Sequence, residues 1–186
     1  MSRLPTPASI EAAPAAAQPL LQAVKKQLGV VPNLFRLVST SPAALEGYLG
    51  LNGALAKGAL EAPTRERIAL AVAEINGCNY CLSAHSYLGK SLAKLSEAEI
   101  ASNRDGHSAD AKADAAVGFA VKLVNARGHV SDADIKAVRD AGYNDAQLIE
   151  IVLHVALNTL TNYVNEVAKT EIDFPVVSAK ESAKAA

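Results

Sequence analysis

The chain has 186 residues, half of them apolar and a fifth charged, and a formal net charge of −1. That length suits one domain with a substantial core, and neither the charge balance nor any basic run makes a case for nucleic acid. No apolar stretch is long enough to span a bilayer, and the Met1-Ser-Arg-Leu-Pro-Thr-Pro start lacks the apolar core of a secretory signal, so the expected location is the cytoplasm. Aromatic residues are only 4% and Trp is absent, a balance that favours helices packed closely through small side chains.

In chain order, residues 1–18 are rich in Ala and Pro and read as a flexible arm. A helix over Leu20 to Leu28 is stopped by Gly29 and Pro32. Ser41-Pro42 opens a second, with Ser as N-cap, running to about Lys57. Pro63-Thr64 opens a third, in which Ile68, Val72 and Ile75 form an apolar stripe. Asn76-Gly77 breaks it, so Cys78 begins a new helix that reaches about Leu92. Ser96-Glu-Ala-Glu99 has the form of a capping box. Further helices run from Asp110 to Ala126 and from Ser131 to Gly142, and a long one from about Asn144 to Lys169. Between Ile149 and Leu160 that last helix is apolar almost all round, which calls for burial on more than one side and points to a homo-oligomer. No alternating strand pattern appears, so the fold class is all-α: a single domain over 19–176, with a disordered tail over 177–186.

The two cysteines lie within the pattern Glu66-x11-Cys78-x-x-Cys81-x3-His85. On one helix, Cys78, Cys81 and His85 share a face. A thiol pair beside an imidazole is the outline of a redox reagent, because the imidazole favours thiolate and the second thiol can close a disulfide. Two buried, inert cysteines are the bland alternative. A structural zinc site would need a fourth ligand from His107, His129 or His154, none of which has the spacing of a zinc motif. Glu66 alone reads as an acid stabilising the first turn of its helix, on a surface shared with Arg65 and Arg67. A helix start at Asn76-Gly77 makes Cys78 the more acidic thiol by dipole reasoning alone. His154, Asn158, Thr161, Asn162 and Asn165 form a polar stripe on the long helix, expected to serve core or subunit contacts before a pocket wall. Tyr87 and Phe119 are expected in the core.

Glu66, Cys78, Cys81, His85 and the Asn-Gly-Cys-x-Tyr-Cys surround resemble the signature of the alkyl hydroperoxidase D / carboxymuconolactone decarboxylase superfamily, closest to its peroxidase-related members. Val31-Pro-Asn-Leu-Phe-Arg36, Ser41-Pro-Ala, Asn162-Tyr-Val-Asn165 and Asp173-Phe-Pro175 extend the resemblance over most of residues 30–175. It implies an all-helical fold assembled as trimers or hexamers built from dimers. It also implies reduction of organic hydroperoxides by Cys81 as peroxidatic thiol, with Cys78 resolving, and His85 and Glu66 relaying protons through a water. No metal, flavin or haem is implied; electrons come from an external dithiol, for which lipoylated proteins are candidate donors. Tyr80 departs from the pattern, standing where alkyl hydroperoxidase D proper carries a second histidine. Decarboxylase chemistry fits less well, since decarboxylase members do not depend on a C-x-x-C pair. The alternatives are a thiol–disulfide oxidoreductase and a non-enzymatic redox-sensing helical assembly.

Overall fold

A computed structural model describes residues 2–180. Among them nine α-helices and one 3-10 turn account for the regular structure, and no strand is present. The helices are α1 (Gln18–Leu28), α2 (Asn33–Val38), α3 (Pro42–Leu55), α4 (Ala62–Ile75), α5 (Asn79–Ser91), α6 (Glu97–Arg104), α7 (Ala111–Asn125), α8 (Asp132–Asp140) and α9 (Asp145–Ala168).

Local chemistry explains the boundaries. Ser41, Ser96, Asp110, Ser131 and Asn144 each accept the backbone N–H three residues on, the N-cap arrangement that satisfies an orphan donor. The expected capping box at Ser96 is only half made. Glu99 turns inward to bind Arg67 at 2.7 Å instead of reaching back to Ser96. The box is complete at Ser131/Asp134 and Asn144/Gln147. Two elements were not expected: α2, which follows Pro32, and the 3-10 turn Ala15–Ala17.

α4 lies at the centre. Its expected single stripe is replaced by an unbroken buried run from Ile68 to Glu74, because α5, α6, α7 and α9 all pack around it. Ile68 and Val72 join Phe119, Leu123, Ile151 and Val155 in one core, while Leu70 and Ala73 join Leu34, Tyr80, Leu82 and both cysteines in another. Phe119 is a core residue as expected; Tyr87 is half exposed, its ring 6.0 Å from that of Phe174.

Both chain ends differ from expectation. Residues of the arm are packed, with Ala13 and Ala17 buried against Leu21 and Leu45, and Arg3 N–H donates to Ala168 O at 2.6 Å. Residues 177–180 of the expected tail are also held. Val177 N–H donates to Ser83 Oγ (2.9 Å), Ala179 N–H to Asn79 Oδ1 (2.8 Å) and Lys180 N–H to Glu74 Oε1 (2.7 Å). The rest of that expectation, 181–186, lies outside the described residues. Among the described residues no helix is long and apolar enough to cross a membrane.

Candidate active site

The α4–α5 junction sets the geometry. Gly77 takes a positive φ of 65°, a conformation that costs glycine little and turns the chain sharply out of α4. Cys78 then becomes the N-cap of α5, its Sγ accepting the N–H of Cys81 at 3.3 Å. Cys81 stands in the first turn of α5 and His85 one turn further along. Both cysteines are buried, Cys78 completely and Cys81 with 3% of its surface exposed.

The electrostatics separate the two thiols. A hydrogen bond from the Cys78 thiol stabilises the Cys81 thiolate and outweighs burial. The charge of His85, the Asn165 amide (Nδ2–H to Sγ, 3.3 Å) and, more weakly, Asn162 act in the same direction, so Cys81 is held well below the usual thiol range. The same hydrogen bond, with burial and the Cys81 charge, pushes the Cys78 thiol up. Simple dipole reasoning favours Cys78, but an N-cap side chain accepts from one backbone donor, whereas Cys81 gathers side-chain donors from Cys78 and α9 and lies in the field of the His85 imidazole.

Glu66 lies in the second turn of α4, not the first, and its Oε2 is 2.9 Å from His85 Nδ1. Burial lowers the imidazole pKa, but the charge and hydrogen bond of Glu66 and the charge of Cys81 outweigh it and hold His85 above its ordinary value. Arg67, read as a surface residue, instead pairs with the buried carboxylate of Glu99.

A cavity of about 340 Å³ opens over this group. Cys81, His85, Glu66 and Tyr80 line it together with Tyr48, Arg65, His154, Leu157, Asn158 and Thr161. The polar stripe of α9 therefore does more than stabilise the core: part of it walls the cavity and Asn165 touches the Cys81 sulfur. Its helical spacing was visible in the sequence; its register relative to α5 was not. Tyr48, on α3, also lines the cavity, and no motif in the sequence marks it. Burial, and then the charges of Cys81 and Glu66, raise its phenol pKa.

Tyr80 has a structural role. Its hydroxyl donates to Asp173 Oδ1 at 2.9 Å and accepts Leu34 N–H at 3.1 Å, while Asp173 Oδ2 accepts Asn33 N–H at 2.7 Å. The phenol pKa is pushed up, chiefly by burial, so this hydroxyl holds its proton. The two outlying stretches 31–36 and 173–175 thus meet around Tyr80, with Phe174 edge-on to its ring at 5.8 Å. Among the described residues no three His, Cys, Asp or Glu side chains cluster as a metal site would require.

A model of the carboxymuconolactone decarboxylase family matches residues 42–126, which contain all four motif residues. Among solved structures, a peroxidase-related protein with an alkylhydroperoxidase AhpD core from Ralstonia eutropha is 27% identical, with a TM-score of 0.82 over 92% of each chain. A peroxidase-related protein from a Silicibacter species is 25% identical, with a TM-score of 0.77 over 90% of this chain and 91% of the other. A debrominase solved with 2,3,4-tribromopyrrole shares the fold at 19% identity, with a TM-score of 0.74 over 97% of this chain and 93% of the other. No curated protein sequence matches the chain.

Proposed function

Because the chain belongs to the carboxymuconolactone decarboxylase/alkyl hydroperoxidase D superfamily, we propose that it is a thiol-dependent peroxidase acting on organic hydroperoxides. The observation that carries this reading is an acidified Cys81 at the wall of a cavity, hydrogen-bonded by Asn165 and flanked by Cys78 and the His85–Glu66 pair. Cys81 thiolate attacks one peroxide oxygen, the O–O bond breaks, and the leaving alkoxide takes a proton from this group to depart as the alcohol. Cys81 becomes a sulfenic acid. The Cys78 thiol displaces water from it and closes the disulfide. A slender external dithiol such as a lipoyl arm returns two electrons by thiol–disulfide exchange. Burial of Cys81 favours this over reduction of protein disulfides, which a folded substrate could not bring to the sulfur. The working form is a homo-oligomer, since the outer face of α9 leaves Ile149, Val152, Leu153, Leu160, Tyr163 and Val167 exposed in the single chain.

The test is mass spectrometry of pre-reduced protein after about one equivalent of an organic hydroperoxide, the stoichiometry of one thiol oxidation. The expected result is a Cys78–Cys81 disulfide with release of the alcohol, and turnover on adding a dithiol. Cys81→Ser should abolish it, while Cys78→Ser should leave a trappable sulfenic acid at Cys81. Unreacted thiols would retire the peroxidase reading. Oxidation without dithiol-driven turnover would favour a redox sensor.

A further inference from the structure

The cavity that Cys81 lines also holds two polar side chains that the thiol chemistry leaves unused. Arg65 lines it from α4 and His154 from α9. Arg65 is half-buried, and the nearby carboxylates are engaged elsewhere. Glu66 holds His85, and Glu150 accepts the backbone N–H groups of Ala59 and Leu60 at 2.9 and 2.8 Å. The guanidinium donates through Nη1 to Leu55 O at 3.2 Å and has no ion-pair partner among the described residues. His154 is 6% exposed, and its Nε2 is buried without a hydrogen-bond partner. No other described side chain of the cavity wall keeps a buried polar atom unpaired. Burial, and then the charge of Arg65, pull the His154 pKa down to about 4, so the imidazole is neutral near pH 7 and able to donate from Nε2.

The start of α4 carries the same imbalance. Glu61 at its N-cap makes no side-chain cap bond and the first turn contains no acid, yet Arg65 follows directly. A cation near the positive end of a helix runs against the dipole, and such local conflicts tend to fall at functional sites. An anion bound between Arg65 and His154 would pair with the guanidinium and give Nε2–H an acceptor.

We infer that the cavity takes a small organic hydroperoxide bearing a carboxylate, with Arg65 and His154 holding the carboxylate while the peroxide group lies against Cys81. This rests on the peroxidase reading and narrows its substrate. The carboxylate is a spectator in the redox step: hydroperoxide plus two thiols gives alcohol, water and the disulfide. The cavity volume of about 340 Å³ is at the small end for ligand sites, which disfavours long-chain lipid hydroperoxides.

The experiment compares cumene hydroperoxide with its para-carboxylated analogue. Wild-type protein should favour the carboxylated substrate in kcat/KM by about tenfold or more, mainly through KM, as a charge-assisted hydrogen bond would give. Arg65→Gln should bring the ratio near one, and Arg65→Lys should restore much of it. Equal kcat/KM in wild type, or a preference that survives Arg65→Gln, would overturn the inference. A second measurement needs no turnover. The peroxide-free para-isopropylbenzoate should slow alkylation of Cys81 by iodoacetamide in wild type but not in Arg65→Gln, and para-isopropylbenzyl alcohol should not. Protection without reduction of either peroxide would uphold the anion site and retire the peroxidase reading. Turnover with neither protection nor preference would retire the anion site alone.

Discussion

At the scale of single residues, the site depends on which thiol is the thiolate near neutral pH. Cys81 is pulled down to about 6, first by the hydrogen bond from Cys78 and then, against burial, by His85 and Asn165. A depressed pKa means that the thiolate is present above it and lost as pH falls through it. Alkylation of Cys81 by iodoacetamide should therefore rise through about pH 6 and level off by about pH 7.5, whereas an ordinary thiol is still rising toward its pKa of about 8.5. A profile that keeps climbing past pH 8 would show that the Cys81 thiol is not acidified. Asn165→Ala removes one donor to the sulfur. It should raise the Cys81 pKa by about one pH unit, the scale of a hydrogen bond to a charged group, and move the profile to the right. An unchanged midpoint would mean that the Asn165 contact contributes nothing to the thiolate.

At the scale of elements, Tyr80 ties three segments together: the start of α2, the first turn of α5 and the chain after α9. Tyr80→Phe keeps the ring packing but leaves Leu34 N–H without its acceptor and Asp173 without one donor. The expected loss is about 1–3 kcal/mol in urea denaturation, the cost of unsatisfied buried groups. A loss near zero would mean that water or Asn33 takes over the contacts. The same region shows what could be read from the sequence. Helix existence and most boundaries were legible because capping and breaking are local: Ser41, Asp110, Ser131, Asn144 and Asn76-Gly77 act within a few residues of themselves. The thiol–imidazole group was legible for the same reason, since Cys81 and His85 share α5 and Cys78 caps it. Contacts between distant segments were not. The arm looks like Ala/Pro-rich coil and residues 177–180 like small-residue coil, and only the tertiary positions of Ala168, Ser83, Asn79 and Glu74 give their backbones partners. Tyr48 and the cavity-lining part of α9 were hidden likewise, because helical periodicity says which residues share a face but not which helix that face meets.

For the whole molecule, α9 presents two faces with different tasks. The inner one packs Ile151 and Val155 into the core and brings Asn158, Thr161, Asn162 and Asn165 toward the site. On the outer one, Ile149, Val152, Leu153, Ala156, Leu160, Tyr163 and Val167 are exposed in a line about 27 Å long at 1.5 Å per residue. Moving a large apolar side chain from water into an interface contributes about 1.5–3 kcal/mol at full burial, so several together can hold a dimer. A stripe along one helix also suits a two-fold contact with the same stripe of a second copy. Light scattering should give a mass at least twice the 19.3 kDa of one chain. Leu160→Glu combined with Val167→Lys places charges on the exposed face without touching the core. That variant should lower the mass while leaving the helical circular dichroism intact. A wild-type mass of one chain, or an oligomer indifferent to both charges, would mean that α9 does not form the contact. Because the inner face of α9 carries Asn165 and the cavity wall, loss of the oligomer should also move the pH profile of Cys81, coupling assembly to the acidity of the thiol through a single helix.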